Sequence, residues 1–157
     1  FGSNSLRVGA GTSLFNVDGD GFCIGTEANN KKLINTLSVD FLGSFSDDLS
    51  LRVLYSAADV MVVPSIQEAF GQTASEAHAC QTPVVGFKIG GLIDIVSHQK
   101  TGYLADPDDK ETLLCYVEMI EKISRKNCRK WVENNASSDI FANKVVNWLN
   151  KVINEYN

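Results

Sequence analysis

The run Asp59-Val60-Met61-Val62-Val63-Pro64-Ser65-Ile66-Gln67-Glu68-Ala69-Phe70-Gly71-Gln72-Thr73-Ala74-Ser75-Glu76 passes from one kind of structure into another. It opens on a nearly continuous apolar, β-branched stretch. Such stretches belong to strands buried on both faces of a parallel sheet. It closes on a short helical pattern, 73–79, bounded by Gly71 and Pro83. The residues between form a loop at the carboxyl end of a buried strand, where open parallel sheets bind their ligands.

The same alternation recurs on both sides of this run. Strand-like runs are Phe22-Cys23-Ile24-Gly25, Val39-Asp40-Phe41-Leu42-Gly43, Pro83-Val84-Val85-Gly86-Phe87 and Gly102-Tyr103-Leu104-Ala105. Helical runs lie between them. Residues 49–55 follow Asp47-Asp48, which can cap a helix. Residues 91–97 carry Leu92, Ile93, Ile95 and Val96. Asp108-x-x-Glu111 has capping-box spacing ahead of Leu113, Val117 and Ile120. A last helix sets Phe141, Val145, Trp148, Val152 and Tyr156 on one stripe, which must pack on something. Strand and helix alternating through short connections give βαβ units. The expected fold is α/β, an open parallel sheet with helices on both faces. The loops at its carboxyl edge are 25–27, 43–45, 65–72 and 88–91. Residues 9–21, rich in Gly and Asp, read as a long loop.

Composition narrows the function. The chain has 157 residues, 44% hydrophobic and 21% charged, which fits one domain spanning 1–157. A net charge of −5 argues against nucleic acid as a partner. No apolar run approaches the ~20 residues of a membrane-spanning helix, and no charged segment followed by an apolar one opens the sequence. Four cysteines with no CxxC pair read as free thiols of a cytoplasmic protein.

Within the loop and helix, Glu68 and Glu76 are separated by seven residues. Gly71 allows backbone to approach a ligand. The N–H groups that follow sit at a helix start, which attracts phosphate. A carboxylate one turn further in can accept hydrogen bonds from a sugar diol. A structural reading stands beside this one: Thr73-x-x-Glu76 has capping-box spacing, and Glu68 can be a solvated loop residue.

From Val39 to about Leu113 the sequence resembles the nucleotide-sugar-binding half of retaining GT-B glycosyltransferases, most closely glycosyltransferase family four. The landmarks are Phe41-Leu42-Gly43, Ala57-Ala58-Asp59, Pro64-Ser65, the Glu68/Glu76 pair, Ala77-His78-Ala79-Cys80-Gln81-Thr82-Pro83-Val84-Val85, Gly90-Gly91 and Thr101-Gly102-Tyr103-Leu104. The resemblance implies a Rossmann-like domain, one half of a GT-B fold. It implies transfer of a glycosyl group from a nucleoside-diphosphate sugar to a hydroxyl, with retained configuration and no metal. It places Glu76 on the ribose hydroxyls and Glu68 beside the transferred sugar, as the catalytic candidate. Backbone at Ala69, Phe70 and Gly71 would contact the sugar, backbone at Gln72 and Thr73 the sugar or diphosphate, and Gly43, Ser44 and Phe45 the base. The implied partner is an N-terminal acceptor-binding domain of the same enzyme. Alternatives are an epimerase-like GT-B relative and a non-catalytic nucleotide- or Ca²⁺-binding module.

The sequence departs from the family at Ala69 and Gln81, where glycine is usual, and at Asp94, where glutamate is usual. The front departs further. Arg7-Val8-Gly9 is the candidate for the family's arginine-lysine-glycine loop, with Val8 where lysine belongs, and makes Arg7 a candidate diphosphate contact. No helical pattern follows, so residues 1–21 read as an incomplete or atypical first unit. Asn16-x-Asp18-x-Asp20-Gly21-x5-Glu27 has the spacing of a calcium loop, but no amphipathic helix precedes it, and a plain turn is the expectation. Lys122, Arg125, Lys126, Arg129 and Lys130 form a basic cluster, read as a solvated face or as a patch for anionic lipid at a membrane surface.

Overall fold

The computed structural model describes residues 8–10, 21–23, 39–41, 45 and 47–155. Among the described residues six strands make one sheet: β1 (Val8–Ala10), β2 (Gly21–Cys23), β3 (Val39–Phe41), β4 (Val60–Val63), β5 (Val84–Phe87) and β6 (Gly102–Ala105). Their order is β3-β2-β1-β4-β5-β6, and every pairing is parallel. The order reverses between β1 and β4, so the crevice for a ligand opens at the carboxyl ends of those two strands.

β4 is buried throughout, as its β-branched sequence requires. Its side chains alternate between two cores. Val60 and Val62 join Val85, Phe87, Tyr103, Leu113 and Val117 on one face. Met61 and Val63 join Tyr55, Ala74, Ala77, Val84 and Leu92 on the other. Helices α1 (Asp48–Ala57), α2 (Gln72–Ala79) and α3 (Leu92–Ile95) therefore cover one face. Helix α4 (Lys110–Glu118) and a 3₁₀ turn (Ile120–Lys122) cover the other, while helix α5 (Arg125–Asn135) packs against α2 and reaches the core on that side through Cys128. The expected layering is present.

Helix ends follow the polar residues beside them. Asp47 caps α1, accepting from the Ser50 N–H at 2.8 Å. Asp109, not Asp108, caps α4, accepting from the Thr112 N–H at 3.0 Å. The expected capping box is displaced by one residue because Asp108 turns left-handed, with φ of 64°. Two arginines of the basic cluster close helix C-termini, where cations are favoured. Arg125 donates to the Ser56 and Ala58 carbonyls, and Arg129 to the Ala79 carbonyl. The cluster is thus partly consumed inside the protein and is not a uniform solvated face.

Two further expectations need correction. Val8 and Gly9 lie in β1, between β2 and β4, and not in a cation-bearing loop; Arg7 lies outside the described residues. The apolar stripe of the last helix, α6 (Ser138–Glu155), closes no core. No residue of α6 is buried, and Phe141 and Trp148 are 66% and 62% exposed. Tyr156 and the calcium-loop positions 16–20 and 24–27 also lie outside the described residues, whereas Phe22 sits in β2 between two neighbouring strands.

Candidate functional site

The chain leaves β4 through the buried Pro64 and runs along the carboxyl edge of the sheet to α2. Two devices shape this loop. Glu68 accepts from the Gly71 N–H through Oε1 at 3.0 Å, closing a turn across 68–71. Below it, a Cβ at Gly90 would stand 1.5 Å from the Glu68 carbonyl oxygen, and one at Gly91 2.6 Å from Phe70 backbone. The Gly90-Gly91 pair is therefore the bed on which loop 68–70 lies, a contact only glycine allows.

Gly71 is the N-cap of α2 and is left-handed, with φ of 66°. No side chain caps this helix. Its Thr73-x-x-Glu76 capping box does not form, because the helix begins at Gln72, ahead of Thr73. The Ala74 and Ser75 N–H groups bond to the Gly71 carbonyl. The Gln72 and Thr73 N–H groups have no acceptor among the described residues. Two free amide donors at a helix start carry the positive end of the helix dipole and suit an anion.

Glu76 lies one turn further along and is exposed. Its Oε2 accepts from the Tyr55 hydroxyl at 2.9 Å, across the gap between α1 and α2. Burial, and then the Glu76 carboxylate, push the Tyr55 phenol well above its ordinary pKa, so it stays a donor. Sequence reasoning missed Tyr55. It sits in a helical run 21 residues from its partner, and only packing brings the two together.

Of the other named positions, Ala69 and Phe70 are exposed on the loop, and Phe45 is half-buried beyond the carboxyl end of β3. Gly43 and Ser44 lie outside the described residues. The structure thus gathers Glu68, Ala69, Phe70, Gly71, Gln72, Thr73 and Glu76 on one loop–helix unit, with Phe45 beyond the sheet's far edge strand. A separate cavity of about 480 Å³ opens at the β5–β6 end, lined by Lys88, His98, Asp106, Asp109, Thr112 and Tyr116. None of the loop residues lines it. Among the described residues no cluster of His, Cys, Asp and Glu is suited to a metal ion.

Comparison with known proteins agrees with this frame. Residues 25–138 match the family described as Glycosyl transferases group 1. An uncharacterized glycosyltransferase of Methanocaldococcus jannaschii is 38% identical over 103 residues, 66% of this chain and 26% of that one. Anabaena HepE in complex with UDP-glucose superposes with a TM-score of 0.73 at 18% identity, covering 94% of this chain and 49% of that chain. The C-terminal domain of a glycosyl transferase group 1 family protein from Francisella tularensis superposes with a TM-score of 0.68 at 19% identity, covering 85% of this chain and 87% of that chain. The chain spans about a quarter of the curated relative and about half of the HepE chain.

A parallel sheet reversing its order at the ligand edge, with a fold shared with these glycosyltransferase structures, makes this a Rossmann-like α/β domain of the GT-B type. The chain belongs to the glycosyl transferases group 1 family.

Proposed function

We propose that this chain is the donor-binding, C-terminal half of a retaining, metal-independent glycosyltransferase. The observation that carries the proposal is the start of α2: two free amide N–H groups, at Gln72 and Thr73, at the carboxyl end of the strand beside the sheet's reversal. The diphosphate lies against these groups. As the glycosyl bond breaks, charge grows on the departing diphosphate, and the fixed amide dipoles stabilise it without a metal ion.

Glu76 takes the ribose hydroxyls through the oxygen that Tyr55 leaves free. Glu68 stands by the transferred sugar. One of its oxygens holds the Gly71 N–H, and the other has no partner among the described residues. The backbone at 69–71, supported on Gly90-Gly91, contacts the sugar, and the 43–45 segment contacts the base. UDP-glucose is the ligand named for the HepE structure; the sugar and base used by this chain are of that general class.

The acceptor and its domain lie in the remainder of a longer protein. Two observations support this: the partial coverage of relatives, and the uncovered apolar face of α6. No described helix is long and apolar enough to cross a membrane. We place the enzyme in the cytoplasm, with Lys122, Lys126 and Lys130 available for a peripheral contact with anionic lipid.

The test is Glu76→Ala. Glu76 is exposed but accepts from the Tyr55 hydroxyl, so its loss should lower stability by about 1 kcal/mol without unfolding the chain. Affinity for a nucleoside diphosphate should fall about tenfold or more, the loss of a charged acceptor for a diol. Calorimetric titration and melting read the two effects separately. Unchanged affinity would remove Glu76 from the ribose.

A further inference from the structure

We propose that Tyr55 is a positioning residue for the donor ribose, acting through the carboxylate of Glu76; this rests on the reading that Glu76 holds the ribose hydroxyls. An exposed glutamate on a helix surface samples several rotamers, and fixing one of them on ligand binding costs entropy. Here one oxygen is already held. The Tyr55 hydroxyl donates to Oε2 at 2.9 Å, and Oε1 has no partner among the described residues. The side chain therefore presents a single free acceptor oxygen in a set direction.

The tether is only as firm as the tyrosine behind it, and Tyr55 is well held. It is 5% exposed, with its ring packed in the core with Met61, Val63, Ala74 and Leu92. Its carbonyl accepts from the Thr82 hydroxyl at the foot of β5. Arg125 on α5 donates to the Ala58 carbonyl at 2.7 Å, to the Ser56 carbonyl at 3.1 Å and to the Thr82 hydroxyl at 3.2 Å. The C-terminal turn of α1 is thus fastened to the start of β5 and to α5, which itself packs against α2. That rigidity reaches Glu76 through one phenolic hydroxyl. A tyrosine needed only to fill the core would be served equally by phenylalanine. Here the hydroxyl emerges from the core at the carboxylate assigned to the ligand.

The experiment is a binding cycle on this chain with Tyr55→Phe, Glu76→Ala and the double variant. The probes are UDP, GDP and ADP, and the 2′,3′-dideoxy form of whichever binds tightest. Tyr55→Phe keeps the buried ring, and a melting curve confirms the fold. The expected result is affinity about fivefold weaker for the ribose nucleotide, the worth of one modest hydrogen bond. Affinity for the dideoxy nucleotide should not change, and Tyr55→Phe should have no further effect once Glu76 is alanine. Parent-like binding by Tyr55→Phe, with Glu76→Ala weakened, overturns the positioning role and leaves the ribose reading standing. Equal weakening for the ribose and dideoxy forms makes Tyr55 structural and also overturns the proposal. No change in either single variant, or no binding of any nucleotide by the parent chain, removes the ribose reading and this proposal with it.

Discussion

His78, on α2 two residues beyond Glu76, is wholly buried, with Nε2 3.1 Å from the Thr101 carbonyl oxygen. A carbonyl only accepts, so Nε2 carries the proton. Nδ1 is then a bare lone pair with no partner among the described residues. Protonating it would bury an unpaired charge against the Trp131 ring, 5.9 Å away. Burial accordingly pushes the imidazole down to about 4, with the Thr101 hydrogen bond pulling weakly upward. Unfolded, the same group titrates near its ordinary value of 6.5. Between those values the unfolded chain binds a proton that the folded chain refuses. Stability is full above about 6.5 and falls as pH drops toward 4. Denaturant unfolding at pH 7 and pH 4.5 measures the loss. His78→Gln should shrink the difference between the two by about 2 kcal/mol. An unchanged difference would mean that His78 is not held neutral. At this scale the sequence showed the glutamate pair, because both residues lie on one short segment. It could not show the acceptor of His78 or the donor to Glu76, which come from segments 23 and 21 residues away.

Among the elements, β4, β5 and β6 were legible because each is a short apolar run rich in β-branched or aromatic residues. Their bounds in the structure fall within a residue of the sequence reading. The start of α4 was misplaced by one residue, because a left-handed Asp108 cannot be distinguished by type from the capping Asp109 beside it. Helix α6 is more instructive. Its periodicity correctly announced an amphipathic helix, but periodicity says only that a face wants cover, not that the same chain provides it. Phe141, Trp148 and Ile153 lie 66%, 62% and 55% exposed. Trp148→Ser in this chain should therefore change unfolding free energy by no more than about 0.5 kcal/mol, while reducing the binding of an apolar fluorescent dye. A loss of about 3 kcal/mol, typical of emptying a packed aromatic site, would show that the face is covered within the chain.

At the scale of the molecule, the strand order gives the site its length. From β3, beside Phe45, to β4, beside the α2 loop, there are three strand spacings, or roughly 14 Å at ~4.8 Å each. That is about the reach of an extended nucleoside diphosphate. In the proposed reading the base lies at the β3 edge, the diphosphate at the α2 start and the ribose between them within reach of Glu76. The reversal of order between β1 and β4 opens a crevice in which the proposed ligand would lie. The β1 position could not be read from the sequence. Three residues, one of them glycine, carry too little pattern to separate a strand from a loop, and a central strand is fixed by its neighbours on both sides. Transfer itself needs an acceptor and exclusion of water, which belong to the proposed partner domain. Binding of the donor nucleotide does not. The decisive measurement is calorimetric titration of this chain with UDP, GDP and ADP, with and without EDTA. Saturable binding of at least one nucleotide, unchanged by EDTA, is the predicted result. Failure of all three to bind, or binding that EDTA abolishes, would contradict a metal-independent nucleotide site at the start of α2.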